Sequence, residues 1–327
     1  MTGPPPATAA VRVAVRRAVA RLDGPLAAAV SGGADSLALA AALAFERPGS
    51  YALVVDHGLQ DGSAQVAARA AEQCRDLGLV PHVLQAAPPF GRCPQHQGAG
   101  DITQSGGSGG RSRGGGGPEA AARVARYAAL DAAVAELGLA AVLLGHTLDD
   151  QAETVLLGLA RGAGARALAG MTDRTPYRRP LLGIDRATTR AACAEAGLIP
   201  WDDPHNDDPA YARVRVRRRV LPVLEAELGP GLARALARTA DQLRDDADAL
   251  DALTPDTADV AELAALPAAL RSRALKRWAE RQCGSAVTSA HVDALRALVD
   301  DWHGQGPVAL PGGVQVARRD GRLASDA

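Results

Sequence analysis

The sequence predicts an α/β fold, in which a parallel sheet has helices on both faces, followed by a smaller and mostly helical domain. Short apolar runs alternate with helix-like segments through the first half of the 327 residues, as expected for a covered parallel sheet. Three of these runs end in polar turn sequences, at Ser31, Asp56 and Gly145. Beyond Pro204 the segments become long and rich in alanine and arginine. We therefore expect one domain over residues 1–205 and a second over 206–327.

The first domain is expected to begin with a helix and then to alternate strands with helices. Periodicity and apolar runs give this order: helix 9–22, strand 26–30, helix 37–44, strand 51–55, helix 64–77, strand 81–84, helix 119–137, strand 140–144 and helix 148–160. The second domain is expected to hold helices over 230–253, 260–282 and 290–302, and then a small hairpin around Pro311-Gly312-Gly313.

One glycine-rich segment interrupts the alternation. Gly91 to Gly117 contains 11 glycines in 27 residues and almost no apolar side chain. Such a stretch cannot offset its ordering entropy by burial. We therefore expect a flexible insertion there, in preference to a lid that grips phosphate.

Composition excludes several classes of function. The net charge is −1, so no global positive field marks a nucleic-acid-binding protein, although a local patch remains compatible with it. The only lysine, Lys276, follows a leucine, which excludes a Walker A loop because that loop requires Gly-Lys. The four cysteines form no Cys-x-x-Cys pair. No segment has the pattern of a signal peptide or a membrane span, so we expect a cytoplasmic protein without membrane contact.

The strongest motif is Ser31-Gly32-Gly33-Ala34-Asp35-Ser36, which joins a predicted strand to a predicted helix. The glycines let the backbone approach an anion, and the helix N-terminus offers free N–H groups. Asp35 would repel a bare phosphate, but it fits a site where a divalent cation bridges carboxylate and phosphate oxygens. For Ser-Gly-Gly alone, a tight turn with a helix cap is a competing interpretation.

The second predicted strand ends in Asp56-His57-Gly58. In a parallel sheet this end lies beside the first loop, where a nucleotide would bind. A simple turn explains these three residues about equally well when they are taken alone.

The fourth predicted strand ends in Gly145-His146, and an acidic helix follows. Asp149, Asp150 and Glu153 share one face of that helix because they are three or four positions apart. Like charges so placed destabilise a helix, so either the dipole of the first turn or a cation must offset them.

An arginine run follows Trp201-Asp202-Asp203, with five arginines between Arg213 and Arg219. Arginine suits bidentate contact with phosphate and can neutralise a pyrophosphate leaving group. A solvated helix face is the usual alternative for such a run.

Taken in order, these motifs resemble those of the tRNA(Ile)-lysidine synthases, within the N-type ATP pyrophosphatases. The resemblance covers Ala27 to Pro222 apart from the glycine-rich segment. Two positions depart from the family pattern: Val214 replaces a usual Asn, and Gly158 replaces a frequent Arg. The resemblance implies an adenine nucleotide alpha hydrolase-like fold in a short form of the enzyme. It also implies the ATP-dependent ligation of free L-lysine to C2 of the wobble cytidine, position 34, of the tRNA(Ile) with a CAU anticodon.

The resemblance also implies the site residues. Those expected to bind ATP are Ser31, Gly32, Gly33, Ala34, Asp35, Ser36, Asp56, His57, Gly58 and His146. Those expected to act in catalysis are Asp35, Asp150, Glu153 and Arg213, with Asp35 and Asp150 as ligands of Mg²⁺. Glu153 or Asp202 would receive the ammonium group of lysine. The resemblance is also compatible with a homodimer.

Two alternatives stay open at this point. One is a tRNA thiolase on the same fold, against which the absence of a Cys-x-x-Cys pair counts. The other is a non-catalytic nucleotide-binding module, against which the acidic helix and the arginine run count. For tRNA binding, the expected contacts outside the first domain are Arg271, Arg273, Lys276 and Arg277.

Overall fold

The computed structural model describes residues 3–56, 58, 62–86 and 118–326. The chain forms two compact units, one of residues 1–163 with 170–239 and one of residues 164–169 with 240–327. The predicted boundary at residue 205 lies earlier than this division, because the arginine run packs against the acidic helix of the first unit. The glycine-rich insertion predicted over 91–117 lies outside the described residues, as does His57.

The first unit is built on a five-stranded sheet in which every pair of neighbouring strands is parallel, in the order β3-β2-β1-β4-β5. Its strands are β1 (Leu26–Val30), β2 (Tyr51–Asp56), β3 (Val80–Gln85), β4 (Ala141–Leu144) and β5 (Tyr177–Arg178). The first four confirm the prediction to within a residue or so. The fifth was not predicted, since two residues are too few to give an apolar run.

The chain segments between and after these strands are mostly helical. The helices up to residue 253 are α1 (Pro6–Val19), α2 (Ala34–Glu46), α3 (Ser63–Asp76), α4 (Pro118–Leu137), α5 (Leu148–Leu159), α6 (Ala165–Leu168), α7 (Arg186–Glu195), α8 (Ala212–Arg215), α9 (Leu221–Leu228) and α10 (Leu232–Leu253). A π-helical turn, Val216–Val220, joins α8 to α9, and α6 belongs to the second unit. Helix α7 was not predicted.

Side chains of β1 point alternately to two apolar cores, as the pleat of a strand requires. Ala28 is buried in a core with Val15 of α1 and Leu39 of α2. Ala27 is buried in a second core with Leu130 of α4. The sheet therefore has helices on both faces, which confirms the predicted fold class.

The parallel arrangement brings the ends of the strands together. The carboxyl ends of β1, β2, β4 and β5 all meet at one edge of the sheet, and the chain leaves them at Ser31, Asp56, Gly145 and Arg179. Ligands of open α/β sheets bind at this edge.

The second unit has a separate core. Its helices and strands beyond α10 are α11 (Val260–Ala265), α12 (Ala268–Cys283), α13 (Ser289–Asp300), β6 (Val308–Ala309), β7 (Gln315–Arg319) and β8 (Arg322–Asp326). Leu263, Leu275, Leu295 and Val316 are fully buried together. The predicted hairpin is confirmed between β6 and β7, and β8 extends it to a three-stranded antiparallel sheet. Within the described ranges, none of the helices in either unit has the length and apolar character needed to cross a bilayer.

Candidate active site

The loop after β1 turns tightly into α2. Gly32 has a φ of +83°, a conformation that side-chain-bearing residues rarely adopt. The Ser36 hydroxyl lies 2.9 Å from the Gly33 carbonyl, to which it donates, and it accepts from the Ser31 N–H at 3.2 Å. No described side chain caps the start of α2 at Gly33. The loop therefore leaves backbone N–H groups of the first helical turn available for an anion.

The end of β4 lies directly against this loop. A Cβ atom on Gly145 would come within 3.2 Å of the Cα and the backbone N of Ser36. This approach is closer than the Cβ atom of another residue usually makes, so it favours glycine. It brings His146 and the start of α5 next to the anion-binding turn.

The start of α5 is fixed by a reciprocal cap. Thr147 accepts from the Asp150 N–H, and Asp150 Oδ2 accepts from the Thr147 N–H at 2.8 Å and from its hydroxyl at 3.0 Å. This capping box leaves Asp150 Oδ1 for a partner outside the helix.

That partner is Arg186, at the start of α7. Its guanidinium lies 2.8 Å from Asp150 Oδ1, 3.4 Å from Glu153 Oε1 and 3.6 Å from Asp35 Oδ2. Its backbone N–H donates to Asp149 Oδ2 at 2.7 Å. One cation thus joins the carboxylates of the β1 loop and of α5, which the sequence predicted to share a site.

Glu153 is surrounded by arginines. Its side chain has no exposed area, and Arg217 contacts both of its oxygens, at 2.7 and 3.2 Å. Arg213 lies 3.7 Å from Oε2 and donates to the Thr154 hydroxyl at 3.3 Å. The arginine run is therefore attached to α5 through Glu153, and Glu153 has no surface from which to touch a substrate.

The environments of Asp35 and Asp150 shift their pKa values in opposite directions. Burial raises the pKa of Asp35, and Thr189 and Arg186 counter this only in part. Burial also acts to raise the pKa of Asp150, but Arg186 and the hydrogen bonds from Thr147 outweigh it and leave the pKa below its ordinary value. Asp150 is thus held ionised, while the Asp35 carboxylate is the one that gains most from an added cation.

His146 follows β4 and is uncharged near neutral pH. Burial lowers its pKa to about 4, against the opposing influence of Asp150. Its Nδ1 atom is buried and has no hydrogen-bond partner among the residues that the structure describes.

The end of β2 also carries its predicted residues. Asp56 is buried, and its carboxylate accepts from the Gly58 N–H at 3.0 Å and lies 3.5 Å from the Gln85 amide. Asp56 thus organises the turn after β2. His57, predicted to contact the nucleotide, lies outside the described residues.

The segment after α7 returns to the β1 loop. The Trp201 N–H donates to the Gly32 carbonyl at 2.9 Å. Asp202 follows with 75% of its side chain exposed, paired with Arg190 at 2.6 Å. Arg215 donates to the carbonyls of Pro209 and Ala210, so it is engaged locally.

The structure therefore brings together Asp35, Asp150, Glu153 and Arg213, the four predicted catalytic residues. The sequence analysis missed Arg186 and did not single out Arg217. A polar and charged start to α7, with Asp185 as its N-cap, was the available signal for Arg186.

The donor set fits a magnesium ion shared with phosphate. Mg²⁺ in nucleotide sites is usually held by one or two carboxylates together with phosphate oxygens. Asp35 and Asp150 already share one cationic group, the Arg186 guanidinium. Among the described residues, no group of three metal-ligating side chains forms a metal cage independent of a substrate.

Two family models match this chain, one within each of its two parts. Residues 17–224 match the family model described as a PP-loop domain. Residues 259–324 match the model described as a TilS substrate binding domain.

Curated relatives cover nearly the whole chain. A tRNA(Ile)-lysidine synthase of Leifsonia xyli subsp. xyli is 52% identical over 313 residues, which span 90% of this chain and 87% of the relative. The enzyme of the same name from Thermobifida fusca is 49% identical over 342 residues, which span 99% and 98%. Because these relatives are enzymes, the interpretation as a non-catalytic module is not supported.

The fold is also similar to that of a U34-tRNA thiolase from Methanococcus maripaludis. The TM-score is 0.55 at 19% identity, over 73% of this chain and 80% of that one. At this identity the similarity concerns the fold alone. That structure holds a [4Fe-4S] cluster, whereas the four cysteines here include no Cys-x-x-Cys pair.

Proposed function

Because the chain belongs to the family of the tRNA(Ile)-lysidine synthases, we propose that it joins free L-lysine to the wobble cytidine of the tRNA(Ile) with a CAU anticodon. In the first step the O2 atom of cytidine 34 attacks the α-phosphorus of ATP, and diphosphate leaves. In the second step the ε-amine of lysine attacks C2, the C2–O2 bond breaks, and AMP leaves with that oxygen. The amine gives up protons as the new C–N bond forms.

The observation that carries this proposal is the meeting of the β1 loop with the α5 carboxylates. The first turn of α2 presents N–H groups to the phosphates of ATP, and Asp35 projects from the same turn. Asp150 faces Asp35 across the Arg186 guanidinium. A nucleotide bound at this edge would therefore have its α-phosphate next to both carboxylates.

Asp35 and Asp150 would hold Mg²⁺ in this arrangement. The ion would neutralise charge on the diphosphate as it leaves. Arg213 and Arg217 lie next to α5 and supply further positive charge, and Glu153 holds them there. We assign Glu153 the role of a positioning residue, because its carboxylate is fully buried and engaged by guanidinium groups.

The ammonium group of lysine needs an accessible carboxylate. Of the two candidates, Asp202 is exposed and, among the residues that the structure describes, is paired only with Arg190, whereas Glu153 is enclosed. Asp202 is therefore the better candidate, and the hydrogen bond of Trp201 to Gly32 places it beside the anion-binding loop. A cytoplasmic location and a homodimer stay predictions, the second open to analytical ultracentrifugation.

The test of the function is a reaction with the full chain, ATP, L-lysine and the tRNA(Ile) transcript, analysed by nucleoside mass spectrometry. We expect AMP and a lysine-modified cytidine in equal amounts, and neither product with a transcript that carries uridine at position 34. Release of AMP without a modified cytidine would contradict the proposal.

The role of Asp35 has its own test. Replacing Asp35 with Asn removes the negative charge but keeps an oxygen for the Thr189 hydroxyl, so we expect the fold to persist. Diphosphate release should fall by at least about 100-fold, the scale seen when one group that stabilises transition-state charge is removed. Calorimetric titration of ATP with and without Mg²⁺ should show that the metal no longer strengthens binding. An Asp35→Asn enzyme with normal Mg²⁺ dependence would refute the assignment.

A further inference from the structure

Three arginine side chains of the first unit surround a single tyrosine. The Cζ atoms of Arg123 and Arg126, both on α4, lie 5.1 and 5.6 Å from the centre of the Tyr127 ring. Arg179, which follows β5, donates to the Tyr127 hydroxyl at 3.3 Å. We call these three arginines the arginine cluster.

The cluster has no acidic partner within the described part of the chain. The neighbouring arginines Arg186, Arg213 and Arg217 all contact Glu153. In contrast, the guanidinium groups of the cluster form no ion pair with any described carboxylate. The described partners of the Arg179 guanidinium are the Thr172 carbonyl and Tyr127. Positive charges held together without a counter-charge are typical of a site that receives an anion.

Two buried polar atoms point to the same conclusion. The Nε atom of Arg179 is buried and has no hydrogen-bond partner among the described residues, and the same holds for Nδ1 of His146. Leaving such atoms without a partner is costly, so a ligand that supplies the missing hydrogen bonds would be favoured.

The scaffold of the cluster is already in place. Tyr127 packs edge-to-face on Tyr177 of β5, with ring centres 5.0 Å apart, and the Tyr177 hydroxyl donates to Asp131 of α4. Asp131 accepts this hydrogen bond, and it forms no ion pair with a guanidinium group of the cluster. A preformed site loses little conformational entropy when it binds.

The charges of the cluster act on each other and on His146. Burial, and then the positive charges of Arg123, Arg213 and Arg179, lower the pKa of Arg126. The cluster also helps to lower the pKa of His146, the residue that follows Gly145. Since Gly145 contacts the anion-binding loop, the cluster adjoins the proposed catalytic site.

We propose that Arg123, Arg126 and Arg179 bind a backbone phosphate of the tRNA anticodon loop, next to the cytidine that reacts. This inference rests on the proposed function, because it assigns a part of that site to one substrate.

A phosphate of ATP has the same chemistry, but the phosphates of ATP are expected at the start of α2, which follows β1. Arg179 follows β5, and the contact of Tyr127 with Tyr177 holds the two arginines of α4 beside the same strand. In the sheet, β4 separates β5 from β1. Two strand spacings amount to about 10 Å. The cluster therefore lies away from the expected phosphates of ATP, on the side left for the tRNA.

The test measures the binding of tRNA and of ATP separately. The variant Arg123→Gln/Arg126→Gln is compared with Arg75→Gln, which removes one positive charge from the exposed side of α3. We expect the Kd for the anticodon stem-loop to rise about tenfold in the double variant, and the Kd for ATP to change less than twofold. The slope of log Kd against log salt should flatten by about 0.7 for each lost phosphate contact. The charge-preserving variant Arg126→Lys should keep the wild-type slope.

Each result bears on the proposal. If the double variant binds the stem-loop as tightly and with the same salt slope as Arg75→Gln, the proposal is wrong. If ATP binding falls while stem-loop binding does not, the cluster binds the triphosphate and the proposal is also wrong. Melting curves check the fold, and Arg123→Gln alone repeats the test at an exposed position if the double variant unfolds. Binding is measured without turnover, so failure of the wild-type enzyme to make lysidine would overturn the function and leave the phosphate site standing.

Discussion

At the scale of single residues, Arg186 is the side chain on which the site depends most. It contacts Asp35, Asp150 and Glu153, which would otherwise repel one another in a poorly hydrated place. Arg186 thus joins Asp35 and Asp150 before any substrate arrives, and Arg213 and Arg217 add positive charge around Glu153.

Replacing Arg186 with Met should therefore strongly destabilise the protein. Asp35 and Asp150 would lose the guanidinium group that joins them, although Arg217 would still compensate Glu153. Removing one partner of such a buried pair typically costs about 3–5 kcal/mol. The free energy of unfolding in urea measures this cost. Arg190→Met is the matched control, because its ion pair with Asp202 is exposed and should contribute at most about 1 kcal/mol. Equal stability losses in the two variants would contradict this account.

His146 makes stability depend on pH in a defined window. In the unfolded chain the imidazole takes up a proton below its ordinary pKa of 6.5, whereas in the folded protein it does so only below about 4. Between these values the unfolded state binds more protons, so the protein loses stability as the pH falls from 6.5 toward 4. The loss amounts to at most about 3 kcal/mol.

A His146→Asn variant should lack this part of the acid sensitivity. The free energy of unfolding of the wild type and of the variant is measured in denaturant at pH 7 and at pH 4.5. The other titratable groups are common to the two proteins, so the difference between them reports on His146. We expect the stability of the variant to fall less than that of the wild type. An identical fall would show that His146 is not held neutral in the folded protein.

At the scale of elements, the sequence predicted those with a strong local signal. Strands β1, β2 and β4 are short apolar runs bounded by turns, and they formed where expected. The loop from Ser31 to Ser36 has a signal of its own, since its glycines and hydroxyls directly follow a strand. Strand β5 is too short for such a signal. Helix α7 has only 10 residues, and its buried face consists of the small side chains Thr189, Ala192 and Cys193, which give a weak apolar pattern.

The arginine contacts of the site could not be predicted for a different reason. Arg186 lies 33 residues from Glu153 and 36 from Asp150 along the chain, and no local pattern indicates which arginine will reach which carboxylate. Only the packing of α7 and the arginine run against α5 decides these pairs. The sequence therefore predicted which residue types the site contains, and not how they are connected.

Gly145, which follows β4, lies against Ser36 in the first turn of α2, and this contact gives a further prediction. In Gly145→Ala the new Cβ would lie 3.2 Å from backbone atoms of Ser36, which cannot rotate away. Such overpacking typically costs about 1–3 kcal/mol, and it should displace the first turn of α2 and weaken ATP binding. Calorimetry measures both effects. Gly183→Ala is the control, since a Cβ there meets nothing within 4 Å. Unchanged ATP affinity in Gly145→Ala would show that the loop tolerates the displacement.

At the scale of the whole molecule, two units with separate cores share one chain. The family matches fall on the same two parts, residues 17–224 and 259–324. In the second unit, the arginines expected to bind tRNA also have internal partners. Arg271 pairs with Asp300, Arg273 pairs with Asp251, and Arg277 donates to the Thr254 and Asp251 carbonyls.

Replacing Arg277 with Ala should therefore loosen the second unit, whatever its part in tRNA binding. Two backbone carbonyls would lose a charged donor, at a cost of about 1–3 kcal/mol. Hydrogen exchange of the β7 and β8 amides should become faster. Lys276→Ala, at a side chain that is 52% exposed, should change exchange little and serves as the control. The tRNA role of Arg271, Arg273 and Arg277 stays a prediction, and the salt slope of binding by a stably folded variant would decide it.

Every permanently charged cation of the site is an arginine, and this has a chemical consequence. Lys276 is the only lysine of the chain, and it belongs to the second unit, so the first unit contains no side-chain amine. Guanidinium groups stay protonated at physiological pH and are poor nucleophiles. An activated cytidine in the first unit would therefore meet no side-chain amine of that unit able to attack it. The first unit therefore cannot modify itself through a lysine side chain, and the choice of nucleophile depends on which amine reaches the activated cytidine.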